Sequence, residues 1–211
     1  MSATETPKAD CYSDGERPAM VWGQELRAWL LAPLLRTLAA AGVTADHVTA
    51  ASLAFGLAFC PLWLWPGNPV WARPAALVAL LIHVLLDGLD GPLARHLGTA
   101  SRRGSFTDTV ADQIVVTATT LALLAAPQPV MTVWTGGLYI FCYAMVVGFA
   151  MIRNALGVPY TWLVRPRFWV YAWIAVDQFW LPGWMDVVVG GFTAILAIKL
   201  ATGFVAIRRM L

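Results

Sequence analysis

Six apolar stretches, divided by turn-forming residues, limit what this chain can fold into more than anything else in it. They run over 48–65, 70–95, 105–126, 130–153, 168–180 and 185–208. About 20 apolar residues of helix cross a bilayer core. The pattern predicts an all-α, polytopic membrane protein with six transmembrane helices, of which 168–180 is the shortest. Pro66-Gly67-Asn68-Pro69, Ala126-Pro127-Gln128-Pro129 and Leu181-Pro182-Gly183 punctuate the runs. Composition agrees. Only 12% of residues are charged, about half the share in soluble domains. Eleven tryptophans suit aromatic belts at the membrane surface.

Residues 20–41 are rich in Leu, Ala and Trp but carry Glu25, Arg27 and Arg36. That is too charged for comfortable spanning and fits an interfacial amphipathic helix, with Trp22 and Trp29 at headgroup level. Pro33 is expected to kink or divide it and Gly42 to end it. Residues 1–19 are polar and lack an apolar core, so they read as a disordered cytosolic tail rather than a signal peptide. Residues 20–211 then form one membrane domain. Cys11, Cys60 and Cys142 have no metal-ligand spacing, and the latter two read as core packing. A net charge of +2 gives no reason to expect nucleic acid as a partner.

Basic residues matter here by position. In a six-span plan Lys8, Arg17, Arg27, Arg36, Arg95, Arg102, Arg103, Arg153, Arg165, Arg167, Arg208 and Arg209 share one side, and Arg73 takes the other. The positive-inside rule puts the first side, with both termini, in the cytosol.

Against this apolar background stand four acids. Asp87 and Asp90 close the second span, and Asp108 and Asp112 open the third. Spacings of three and four place each pair on one helix face. A short connection makes the two helices antiparallel neighbours, so four carboxylates can meet in one pocket. Ionisable groups at membrane depth are costly and usually functional. Oxygen ligands without His or Cys suit Mg²⁺, Mn²⁺ or Ca²⁺ rather than zinc. Paired ions typically serve displacement at phosphorus. Gly91 and Ala94 share the face of Asp87 and leave room for a bulky ligand. Gly104 does the same before Asp108. Arg95 offers a fork for phosphate oxygens.

Blander explanations compete for single residues. Ser105-x-x-Asp108 fits a capping box, Asp46 fits a cap for the first span, and His83 fits a packed or hydrogen-bonded histidine. His47 and His96 read as solvated. Asp177 and Asp186 flank a turn and read as facing water. Pro92 either bends its helix or marks a fraying end. Asp112 lies beyond capping range, and Asp87 and Asp90 sit on another helix, so capping does not explain the set.

The run Asp-x-x-Asp-Gly-x-x-Ala-Arg-x8-Gly-x3-Asp-x3-Asp resembles the signature of the CDP-alcohol phosphotransferases, the CDP-alcohol phosphatidyltransferase family. It is met here by Asp87, Asp90, Gly91, Ala94, Arg95, Gly104, Asp108 and Asp112. A second family element, Thr-Pro-Asn-x-Ile-Thr, is met in part by Thr44 and Thr49, with Ala45 and Asp46 replacing Pro and Asn. The resemblance implies Mg²⁺ or Mn²⁺, as two ions, held by Asp87, Asp90, Asp108 and Asp112. It implies Asp112 as base, and Gly91, Ala94, Arg95 and Gly104 around the CDP moiety. Arg153, Arg165 and Arg167 lie where an anionic acceptor would enter.

The expected activity is transfer of the phosphatidyl group of CDP-diacylglycerol to a small polar alcohol with release of CMP, at the cytosolic face of the inner membrane. One alternative is transfer from CDP-choline or CDP-ethanolamine to diacylglycerol. A non-enzymatic alternative is a cation transporter with intramembrane carboxylates. Because the family is often dimeric, the resemblance also implies a homodimer as a partner arrangement.

Overall fold

Helix ends fall where the sequence supplies stop and start chemistry. The structure, a computed structural model, describes residues 17–158 and 165–210. Among them are seven α-helices and no strand: α1 (Arg17–Ala40), α2 (Ala45–Trp63), α3 (Ala72–His96), α4 (Arg102–Ala125), α5 (Val133–Ala155), α6 (Pro166–Phe179) and α7 (Met185–Arg208). The tail expected at 1–19 lies outside the described residues up to 16. Residues 17–19 are already helical, and Pro18 is tolerated there because a first-turn residue needs no amide partner.

Caps correct two expectations. Thr44, not Asp46, caps α2: its hydroxyl accepts the His47 N–H at 3.3 Å, and His47 Nδ1 accepts the Thr44 N–H at 3.3 Å. His47 is therefore a capping partner as well as exposed. Ser101 caps α4 by accepting the Gly104 N–H at 3.1 Å. Ser105 is then inside the helix, where its carbonyl accepts Thr109 Oγ1, and the capping account of Asp108 fails. Helices α1 and α3 run on through Pro33 and Pro92.

Five helices, α2, α3, α4, α5 and α7, are long and apolar enough to cross a membrane. The remaining expected span, α6, has 14 residues, roughly 21 Å of helix against a hydrocarbon core of about 30 Å. Pro166 opens it and Pro182-Gly183 follows it, which confines it. Its two ends are nevertheless tied to distant levels of α3. Arg73 donates to Gln178 at 2.6 Å at one end, and Arg167 donates to Asp87 at the other.

The main core includes Phe59, Trp63, Val115, Tyr139, Ile174 and Leu196, drawn from α2, α4, α5, α6 and α7. A smaller cluster of Leu35, Val48 and Leu93 seats α1 on α2 and α3. On its other side α1 exposes Trp22, Leu26 and Trp29, so it carries two apolar faces.

Helix α2 is central. It packs against both α3 and α4, whereas those two do not pack closely along each other. Gly56 permits this approach. A Cβ there would lie 2.6 Å from a Val115 methyl and 3.2 Å from His83 Cγ. Small residues allow such closeness between membrane helices. At the end away from the acids, Asp177 is buried and accepts the Trp184 N–H at 3.0 Å. Asp186 accepts the Thr132 N–H at 2.8 Å. Neither simply faces water, because each satisfies an amide at a helix start that lacks an intrahelical partner.

Candidate active site

Helices α2, α3, α4 and α6 bring one end each to the acids. Asp87 and Asp90 come from the last turns of α3, Asp108 and Asp112 from the first turns of α4, Thr49 from the start of α2 and Arg167 from the start of α6. One oxygen from each of Asp87, Asp108 and Asp112 lies within 4.8 Å of the others. These are residues 21 and 25 positions apart in the chain, and only the helix arrangement unites them. Hard oxygen donors at this spacing match a divalent cation of the Mg²⁺ or Mn²⁺ type.

Asp90 is the exception to the expected gathering of four. It is 7% exposed, and its oxygens are already engaged. Oδ2 accepts the Thr49 hydroxyl at 2.8 Å and Oδ1 accepts the Gly91 N–H at 2.6 Å. Burial without such partners would be costly for a carboxylate. Asp90 interacts with Asp108 and so borders the group formed by Asp87, Asp108 and Asp112.

Arg167 is the other surprise. Its side chain is 5% exposed, and Nη2 pairs with Asp87 Oδ2 at 2.7 Å while Nη1 pairs with Asp112. The sequence placed it near an acceptor entrance; the fold places its guanidinium among the carboxylates. Phe168 contributes a ring 4.7 Å from the guanidinium carbon. Arg165 is the residue before α6 and Arg153 lies in the last turn of α5, both half-buried.

Around the acids the small residues keep space open. A Cβ at Gly91 would meet no atom closer than Arg95 Nη1 at 3.6 Å, and one at Gly104 would meet only Ser101 Oγ at 3.5 Å. Arg95 is exposed at the C-terminal end of α3, and Ala94 beside it is half-buried. A cation there also complements the helix dipole.

Beneath Asp87, one turn deeper, His83 is 2% exposed. Its Nδ1 lies 2.8 Å from Ser52 Oγ, which also donates to the His83 carbonyl at 3.1 Å. His83 is thus a hydrogen-bonded interior residue, as its sequence context implied. The sequence marked Thr49 only as part of a family element, not as a partner of Asp90, and gave no role to Ser52 or Gly56. Their spacing of three and four, as small or polar residues in an apolar helix, marked the face of α2 that meets the site.

Comparison with known proteins decides what this cluster belongs to. Residues 42–205 match the model of the CDP-alcohol phosphatidyltransferase family. The chain belongs to that family. The transferase also resembles the crystal structure of the phosphatidylinositol phosphate synthase of Mycobacterium tuberculosis, solved with manganese and citrate. Identity is 22%, coverage is 82% of this chain and 87% of that one, and the TM-score is 0.64. The likeness places the transferase in the same fold. As a phosphatidyltransferase it is an enzyme, and the transporter reading is set aside. All matched signature residues, Asp87 through Asp112, fall inside the family region.

Proposed function

We propose that the transferase moves the phosphatidyl group of CDP-diacylglycerol onto a small polar alcohol, releasing CMP at the cytosolic face of the membrane. The observation that carries this reading is the convergence of Asp87, Asp108 and Asp112 within 4.8 Å, beside the open backbone at Gly91 and Gly104. Asp87, Asp108 and Asp112 would hold Mg²⁺ or Mn²⁺, with Asp90 completing the set for a second ion. When bound, such ions neutralise diphosphate charge and the departing phosphate.

The chain's own groups supply the rest. Arg95 and the low wall formed by Gly91, Ala94 and Gly104 receive the CDP moiety. The acceptor hydroxyl oxygen forms a bond to the phosphorus carrying diacylglycerol. The bond from that phosphorus to the bridging oxygen breaks, and CMP leaves with its electron pair. The hydroxyl proton passes to a carboxylate at hydrogen-bond distance. Asp112 is that base, since it lies furthest along α4 from the helix start. Thr49 fixes Asp90, which keeps the acids oriented. Arg153 and Arg165, at the end of α5 and the start of α6, favour a phosphorylated acceptor. The cytosolic orientation rests on the one-sided distribution of arginines.

The test is CMP release by purified protein in detergent or nanodiscs. Each donor is offered separately, CDP-diacylglycerol with glycerol 3-phosphate, inositol phosphate or serine, and CDP-choline with diacylglycerol, and lipid products are identified by mass spectrometry. Release is expected with CDP-diacylglycerol only when Mn²⁺ or Mg²⁺ and an acceptor are both present. Turnover confined to CDP-choline with diacylglycerol would reverse the donor assignment. Full turnover by Asp112→Asn would remove Asp112 as base.

A further inference from the structure

We infer that Arg167 is a resident counter-cation of the acid cluster, one that a divalent ion must displace before the site is loaded. The inference rests on reading Asp87, Asp108 and Asp112 as metal ligands. Arg167 engages two of those three carboxylates, Asp87 at 2.7 Å and Asp112, from a side chain that is 5% exposed. These are the same side chains whose oxygens lie within 4.8 Å of one another. A planar guanidinium can bridge two carboxylates on different helices, which an ammonium does poorly.

Guanidinium and metal exclude each other for two reasons. A carboxylate oxygen committed to a charge-assisted hydrogen bond presents fewer lone pairs to an ion. Two cations on shared carboxylates also repel, and screening is weak where both are buried. Without any cation, Asp87 and Asp112 would repel each other inside the bundle, and breaking a buried pair from one side is strongly destabilising. Arg167 therefore holds α3, α4 and α6 together until metal arrives. The apparent metal affinity is then reduced by the fraction of molecules in which the guanidinium is seated. A residue that ligates nothing sets how much metal the enzyme needs.

The test is Mn²⁺ binding by isothermal titration calorimetry to metal-stripped protein without substrate, paired with the melting temperature of the metal-free state. Arg167→Gln removes the competitor, and binding should tighten on the order of tenfold, while the metal-free protein melts lower and gains more on adding Mn²⁺. Arg167→Lys keeps the charge but loses the fork. It should fall between wild type and Arg167→Gln in both readouts, and it decides the matter if the glutamine variant does not fold. If charge alone matters, Arg167→Lys matches wild type while Arg167→Gln still binds more tightly, which keeps displacement and overturns only the role of the fork. Equal or weaker Mn²⁺ binding in both variants overturns displacement. Absence of Mn²⁺ binding by wild type and variants alike would remove the metal reading itself and this inference with it.

Discussion

Gly56→Ala is the sharpest test of how the helices are held around the site. The added Cβ would lie 2.6 Å and 2.7 Å from the two Val115 methyls, whereas carbon atoms settle about 3.5 Å apart or more. Helix α2 would have to retreat by roughly 1 Å at that point, because neither neighbour can yield. Val115 is fully buried and, being β-branched on a helix, has one strongly preferred rotamer. His83, 3.2 Å away, is pinned by Ser52. Overpacking of this kind costs about 1–3 kcal/mol, and replacing a helical glycine by alanine returns about 1 kcal/mol. The net expectation is a loss of roughly 0–2 kcal/mol.

Because the sign is a balance, the cycle with Val115→Ala is the decisive measurement. That substitution removes both offending methyls at a cost of about 2 kcal/mol alone. With the clash gone, the double variant should be more stable than the sum of the single effects by about 1–3 kcal/mol. Gly136→Ala serves as control. Its Cβ would meet the branched end of Leu124 at 2.9 Å, and a leucine can change rotamer, so stability should hold. Unfolding is followed in detergent across the four proteins of the cycle. Activity is informative too, since Thr49 lies two turns before Gly56 on the same face of α2 and the 2.8 Å bond to Asp90 would lengthen. A coupling below about 0.3 kcal/mol, with Gly56→Ala as active as wild type, would refute the close approach of α2 to α4.

Thr49→Val keeps the shape and removes the hydroxyl donated to Asp90. A hydrogen bond to a charged group is worth about 1.5–3 kcal/mol, so kcat/KM should fall roughly tenfold or more, with Thr49→Ser restoring most of it; unchanged kinetics would show that Asp90 needs no such anchor. Asp186→Asn weakens the tie from α7 to the Thr132 amide that opens α5. On this half-exposed site the loss should be about 0.5–1 kcal/mol, read as a lower melting temperature with turnover unaffected.

How much of this was legible in the sequence follows from how far each interaction reaches. Apolar runs and turn residues announced the spans because bilayer thickness sets helix length locally. The short α6 was visible as the weakest run, bounded by prolines. Caps were harder: Ser101 rather than Ser105 starts α4, since several polar residues in a row offer equivalent caps and packing selects among them. The acid pairs were legible because spacings of three and four fix a shared face on any helix.

The sequence by itself determined which residues share a face, which segments are apolar enough for lipid, and the signature that marks the family. Tertiary structure alone decided that three carboxylates meet while Asp90 turns to Thr49, and that Arg167 enters the cluster. The physical reason is range. Thr49 to Asp90 spans 41 residues and Asp87 to Arg167 spans 80. No helical period carries information over such distances. They are set by α2 wedged between α3 and α4, by the missing side chain at Gly56, and by the seating of α6 across α3.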